Sequence, residues 1–391
     1  MEYPFTEEQL ALQGLTRDFF EREVRAAGAE YDRRADAREC YPADLIRKGS
    51  KLGLRTLAVP ESWGGGGADV LTRALVLREG CRVEAGTAKV FSQCWKVSSA
   101  IALAGTEEQK GRWLRPFVED DDCVCSILMT ESEAGSDNLL PQADPRLGLQ
   151  TSAAREGDHF VIHGSKRFCS LTGIAKVMLL FARTDRNAPV REGTTAFLVH
   201  RDTPGIAYGR THDKMGFRLY PNAESYWDGV RVPAEDVLGE VNGGFQTFAR
   251  IFRGSVELPV VMAGLCRGLY ECCMEYARDR IQGGRPIVEH PTVASMLAEM
   301  RMLIDVTEQY LWRAAWGVMH DPDYDVKMTR FGKVFGDRAG LRSVELALDV
   351  LGASAIMRVH PAEKIIRDIL TFQHGDGTDS LTLLRAAPFL E

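Results

Sequence analysis

Residues 159–184, "HFVIHGSKRFCSLTGIAKVMLLFART", carry two short β-branched and aromatic runs, "HFVIHG" and "VMLLFART", punctuated by Gly164 and Gly173. Runs of that length bounded by Gly, Asp, Asn or Pro read as strands. "TTAFLVH" and "ESYWDGVRVP" continue the texture downstream. Their regular spacing predicts a compact β barrel or sandwich. On either side the period changes. "TEEQLALQGLTRDFFEREV" places Leu10, Leu12, Leu15, Phe19 and Phe20 at near-helical spacing behind an N-cap signal at Thr6. "PESWGGGGADV" interrupts that region as a loop. Past "VNGGF", residues 293–319 set Met296, Leu297, Met300, Leu303, Ile304, Tyr310, Leu311 and Ala314 on one stripe, which predicts a long bundle helix. A further helix around "RSVELALDVLG" is expected to end at Gly352. The chain is thus expected to be α+β in the order α, β, α: a helical domain over 1–120, a β domain over 121–238 and a helical bundle over 239–391.

The 391 residues suggest two or three packing units, and a composition of 45% hydrophobic and 26% charged residues is that of a globular protein. A net charge of −7 without a basic stripe argues against nucleic acid. The start, "MEYPFTEEQLALQGL", has neither basic leader nor apolar h-region, and no apolar run approaches membrane-spanning length, so a cytoplasmic protein without membrane attachment is expected. The nine cysteines, including Cys123, Cys125 and the pair Cys272–Cys273, match no common zinc spacing and are expected to be reduced. His159 and His163, read as lying on a turn and a strand, are expected to point apart, and no metal is expected.

Four polar stretches could carry chemistry. In "MTESEAGSD", 129–137, Ala134, Gly135 and Ser136 let the backbone approach a ligand, and consecutive N–H groups there could hold an anion. In "KRFCSLTG", Phe168 and Ser170 would share one face of a strand and address one ligand together. "YARDRIQGGRPIVEH", 276–290, supplies Arg278, Arg280 and Arg285, either as helix-dipole partners or for a pyrophosphate. "FQHGDGTDSL", 372–381, sets Asp376 between Gly375 and Gly377. From the local sequence this is either an ordinary turn or a carboxylate presented on backbone that can approach a ligand.

Taken in order, "PESWGGGG", "GTEEQKGRWLRPF", "MTESEAGSD", "IHGSKRFCSLTGIAKVMLLFARTD", "DKMGFR", "VRVPAEDVLGEVNGGF", "YARDRIQGGRPI", "HPAEKIIRDIL" and "DGT" resemble the acyl-CoA dehydrogenase family over essentially the full chain. The resemblance implies an N-terminal helical domain, a central β domain, a C-terminal four-helix bundle, an FAD and a homotetramer or homodimer. It implies flavin and pyrophosphate contacts at Ile127, Met129, Thr130, Gly135 and Ser136, at Phe168 where the family usually has Trp, and at Ser170 where it has Thr. It further implies contacts at Gly352 and Thr378, and at Arg280 toward the FAD of a neighbouring subunit. Ser136 and Gly377 would meet the substrate. Asp376 falls where the family's Glu removes a thioester α-proton while the β-hydride passes to flavin, and Gly375 falls where Tyr is usual. An acyl thioester on coenzyme A or on an acyl carrier protein, with an electron-transfer flavoprotein or similar acceptor, is the reaction this implies.

The chain departs from the family pattern at several positions. Asp is shorter than Glu by roughly 1.5 Å. Some members carry the base on the helix matching "FARIFRGSVELPVVMAG", where the corresponding position is about Gly254, next to Ser255 in place of an arginine; Glu257, one turn on, is an alternative base. Gly283 replaces a usual Phe, Asp349 stands near a usual Gln, and Ala353 replaces a usual Gly. A nitroalkane oxidase-like flavin oxidase, which uses Asp at the same place, is the alternative reading, although the arginine expected seven residues later is Leu383 and the nearest is Arg385. A redirected family member that binds flavin or acyl carrier without catalysis is a third.

Overall fold

The computed structural model describes residues 5–140, 143–252 and 255–387. Helices α1 (Glu7–Phe19) and α2 (Arg25–Asp32) run on through one π-helical turn at Phe20–Val24, which the sequence pattern had not signalled. Thr6 caps α1 in a reciprocal capping box with Gln9. α3 (Ala43–Lys51), α4 (Val70–Val83), α5 (Ala85–Ala104) and α6 (Glu107–Glu119) complete the first helical layer. The strands follow: β1 (Cys125–Leu128), β2 (Ser152–Glu156), β3 (His159–Ser170), β4 (Val177–Arg183), β5 (Thr194–His200), β6 (Ile206–Thr211) and β7 (Asn222–Pro233). They form one seven-stranded sheet in the order β1-β4-β2-β3-β7-β6, with β5 paired to β4.

Every residue of β4 is buried because its two faces meet two cores. Val177, Leu179 and Phe181 join the large core shared with the helices, whereas Met178, Leu180 and Ala182 pack with Phe160, Ile162, Phe197 and Trp227 in a smaller one. That double burial accounts for a continuous apolar run where a one-sided strand would alternate. β3 alternates only as far as Ile162; its pairing with β7 shifts register between Lys166 and Cys169, so Phe168 and Ser170 do not sit on regular alternating strand. His159 and His163 both belong to β3, not to separate elements. The nine cysteines are free and buried. Among the described residues no group of three or more metal-ligating side chains is gathered, and no helix is long and apolar enough to cross a membrane.

The second helical layer holds α7 (Gly244–Phe252) and α8 (Glu257–Asp279), then the hairpin strands β8 (Ile281–Gln282) and β9 (Arg285–Pro286), α9 (Pro291–His320), α10 (Thr329–Leu351), α11 (Pro361–Phe372) and α12 (Asp379–Leu384). Gly283 and Gly284 turn the hairpin with φ of 58° and 79°, the left-handed backbone a two-residue turn demands. Gly352 ends α10 at φ 54°. On α9 the expected stripe buries Leu297, Met300, Ile304, Leu311 and Ala314.

α8 lies against α4 at backbone contact. A Cβ placed on Gly264 would stand 2.6 Å from Cys81 Cβ and 2.7 Å from the Arg78 carbonyl oxygen, and one on Gly268 would stand 2.3 Å from the Arg82 carbonyl oxygen. Arg82 then ties the layers electrostatically, bonding Glu79 on α4, Glu21 near α1 and Glu271 on α8. Gly268→Ala is expected to force the two helices apart and to cost about 1–3 kcal/mol, read as a lower midpoint in denaturant; an unchanged midpoint would mean that the close approach is absent.

Candidate active site

The first side of the site is the loop after β1. Lys166, fully enclosed, donates to the Met129 carbonyl at 3.1 Å and to Glu131 at 2.8 Å, while the Glu131 carboxylate accepts from the backbone of Gln150 and Thr151. Burial alone would raise the Glu131 pKa, but Lys166 and these donors outweigh it and hold the carboxyl below its usual range. This pair fixes the backbone that runs from Ile127 on β1 to Ser136. Gly135 follows with open space where a Cβ would point. Arg167 N–H donates to the Thr130 carbonyl at 2.9 Å, which brings Phe168 beside the same loop. Phe168, at φ 58°, leaves half its surface exposed and has His212 near its ring at 4.5 Å. Ser170 Oγ accepts from Asn222, and its carbonyl accepts from Ser126.

The second side is the loop between α11 and α12. Phe372 at the end of α11 stacks on Phe217 at 5.2 Å, and Asp368 accepts from the Phe217 N–H. Lys333 of α10 holds Asp379 at 2.9 Å. Between these anchors, Asp376 takes φ 52° and Gly377 φ 113°. A Cβ on Gly377 would lie 3.8 Å from Ser136 Oγ, so the two loops meet there. Thr378 spends its hydroxyl capping α12.

Between the loops, a line of charges crosses from α5 to α8. Lys89, Ser92 and Lys96, spaced i, i+3 and i+7, share one face of α5. Glu257, the first residue of α8, accepts from Lys89, from Ser92 Oγ at 2.9 Å and from Lys96 at 3.0 Å. Lys96 also reaches Asp376 Oδ2 at 3.1 Å. Burial by itself would raise the Glu257 pKa, but Lys89 and Lys96 outweigh it and bring the carboxyl down to about 2. For Lys96, burial opposes the charge, yet Asp376 and Glu257 prevail and raise its pKa; Lys89 is pulled downward by burial, so Lys96 is the firmer cation. Lys96 and Glu257 border a cavity of about 90 Å³ whose other walls include Arg73, Trp95, Ser99 and Ile251.

The structure therefore joins Asp376 with Glu257 through one ammonium, and Ser136 with Gly377. Ser255 lines the cavity, and Gly254 lies outside the described residues. Arg280 and Gly352 do not join this cluster: Arg280 caps the far end of the 23-residue helix that Glu257 opens, about 35 Å away along its axis. Lys89, Ser92, Lys96 and Arg73 were missed by the sequence reading. Their signal was two lysines and a serine on one face of a helix otherwise lined with Val90, Phe91, Cys94, Trp95 and Val97. Because the folded pKa of Glu257 lies below its usual 4.5, the stabilisation it provides is full above about pH 4.5 and fades as the pH falls toward about 2. Glu257→Gln, which strands two buried lysines, is expected to cost on the order of 3 kcal/mol near neutrality, with the gap to the parent closing in acid in denaturant titrations.

Sequence profiles described as the acyl-CoA dehydrogenase N-terminal, middle and C-terminal domains match residues 6–121, 126–230 and 249–389. A cyclohex-1-ene-1-carbonyl-CoA dehydrogenase of Geobacter metallireducens is 32% identical over 379 residues, covering 96% of each chain. A probable acyl-CoA dehydrogenase of Bacillus subtilis is 29% identical over 386 residues, covering 98% of each. The butyryl-CoA dehydrogenase structure from Megasphaera elsdenii superposes with a TM-score of 0.91 at 27% identity, with 100% of both chains covered. With the fold, the loop meeting at Ser136 and Gly377 and these likenesses together, the chain belongs to the acyl-CoA dehydrogenase family and is an FAD-dependent oxidoreductase.

Proposed function

We propose that Asp376 removes the α-proton of an acyl thioester while the β-hydrogen leaves as a hydride, so that one C–C bond becomes an α,β double bond. The observation that carries this reading is the Lys96 bridge, which ties Asp376 to Glu257. Lys96 holds the Asp376 carboxylate in place at 3.1 Å. When Asp376 takes the proton, Lys96 keeps Glu257 as a counterion, so no buried ammonium is stranded. Glu257 thereby acts as the standing anion of the pair, and its low pKa suits that role better than proton abstraction. The left-handed backbone at 376 also favours Asp over the longer Glu, since short polar side chains tolerate that region best.

The residues present suit a flavin. Phe168 offers an exposed ring as a wall, Gly135 leaves its Cβ space open, and the backbone between Met129 and Ser136 is held by Lys166 and Glu131. Bound FAD supplies the hydride acceptor. Thr130, Ser136, Ser170 and Thr378 would lie along it, with Gly377 admitting the thioester close to the backbone. Arg280 is exposed and about 35 Å from Glu257 along α8; this supports service to a neighbouring subunit's flavin, in a homotetramer or homodimer. The thioester would ride on coenzyme A or a carrier protein, and electrons would pass to an electron-transfer flavoprotein or similar acceptor.

Anaerobic mixing of the yellow holoenzyme with a panel of acyl-CoA thioesters, and separately with nitroethane, is expected to bleach the flavin with a thioester only. Asp376→Asn should slow that bleaching by at least about 10²-fold. Bleaching by nitroethane alone would replace this reaction with a nitroalkane oxidation, and an active Asp376→Asn beside a dead Glu257→Gln would move the base to Glu257.

A further inference from the structure

The cavity beyond Lys96 is lined as no pocket for a plain hydrocarbon needs to be. Val70, Ala74, Leu77 and Val260 form its apolar walls, but Arg73, Ser92, Lys96, Ser99, Ser255 and Glu257 also border it. Burying charge beside an alkyl tail costs free energy unless a polar partner arrives. Glu257 is already satisfied by Lys89, Ser92 and Lys96. Arg73 is not balanced in this way. Its guanidinium bonds the Ser99 hydroxyl at 3.2 Å and the Asp69 carbonyl at 3.2 Å, and its other terminal nitrogen has no protein acceptor among the described residues. The Asp69 carboxylate, the nearest on the same helix, is turned to the Thr72 N–H as the α4 cap. Asp69 and Glu257 act on the Arg73 charge from a distance, and neither closes an ion pair with its guanidinium among the described residues.

Resting on the dehydrogenation reading above, we infer that the acyl group of the substrate ends in a carboxylate and that Arg73 is the residue that receives it. Ser99, which Arg73 grips, lies one helical turn from Lys96, about 5 Å along α5. An α-carbon at Asp376 and a terminal carboxylate at Arg73 are therefore joined by a short chain, in keeping with the small cavity. The guanidinium pairs with a carboxylate in a planar, two-bond geometry that a neutral acyl terminus cannot return. A cationic terminus, such as an aminoacyl group, would meet the Arg73 guanidinium with like charge and is disfavoured.

The test compares flavin reduction in the holoenzyme by succinyl-, glutaryl- and adipyl-CoA with that by chain-matched butyryl-, pentanoyl- and hexanoyl-CoA, and with γ-aminobutyryl-CoA. At least one carboxylated thioester is expected to exceed its match in kcat/KM by about 10-fold or more. Arg73→Leu should lower that value on the order of 10²-fold and invert the ratio, and Arg73→Lys should restore part of it. Equal or better reduction by the plain thioesters, or preference for the γ-aminobutyryl group, would overturn the inference and leave dehydrogenation standing. Perturbation of the oxidised flavin spectrum by a carboxylated thioester, lost in Arg73→Leu and without reduction by any thioester, would keep the anion site and sink the dehydrogenation reading.

Discussion

The backbone contact between α4 and α8 is the constraint from which the site follows. Gly264 and Gly268, one turn apart, admit the carbonyls of Arg78 and Arg82 to distances that no Cβ permits. With the helices that close, the register of α8 against the first helical layer is fixed to a fraction of a turn, because packed interiors do not deform continuously. α5 follows α4 after the single residue Glu84, so the same contact places the start of α8 against Lys89 and Lys96. The cavity wall that α8 supplies and the buried ion pairs of Glu257 depend on that register.

The charge line that results is an expensive arrangement. Desolvating two lysines and a glutamate is recovered only when each ion keeps a close partner, and here each does: Glu257 takes three donors, and Lys96 spans two carboxylates. A fold needing only stability would fill the same space with apolar side chains at no loss. Persistence of the ions is better explained by a reaction in which one carboxylate changes charge while the other does not. In the proposed reaction that member is Asp376, whose side chain is 49% exposed on a loop, whereas Glu257 is enclosed on a helix.

Some of this was legible from the residues in order. Thr6 announced the start of α1, Gly352 the end of α10, and the stripe from Met296 to Ala314 the buried face of α9, because capping and helical period are local properties. β4 and β5 were found as strands from their short apolar runs. The bulge near Phe168 was not, since a register shift belongs to the pairing of β3 with β7 and leaves no mark in either strand alone.

The sequence by itself determined the helix–sheet–helix order, the family, and the presence of a carboxylate between two glycines near the end of the chain. It also held Lys89, Ser92 and Lys96 on one helical face, but periodicity states which side of a helix is polar without stating what that side meets. Only the tertiary structure decided that this face meets Glu257, 168 positions away from Lys89, and Asp376, 280 positions away from Lys96. Such partners are chosen by how whole helices pack, and packing is fixed by close contacts such as those of Gly264 and Gly268, whose effect on the site appears only once both helices are in place.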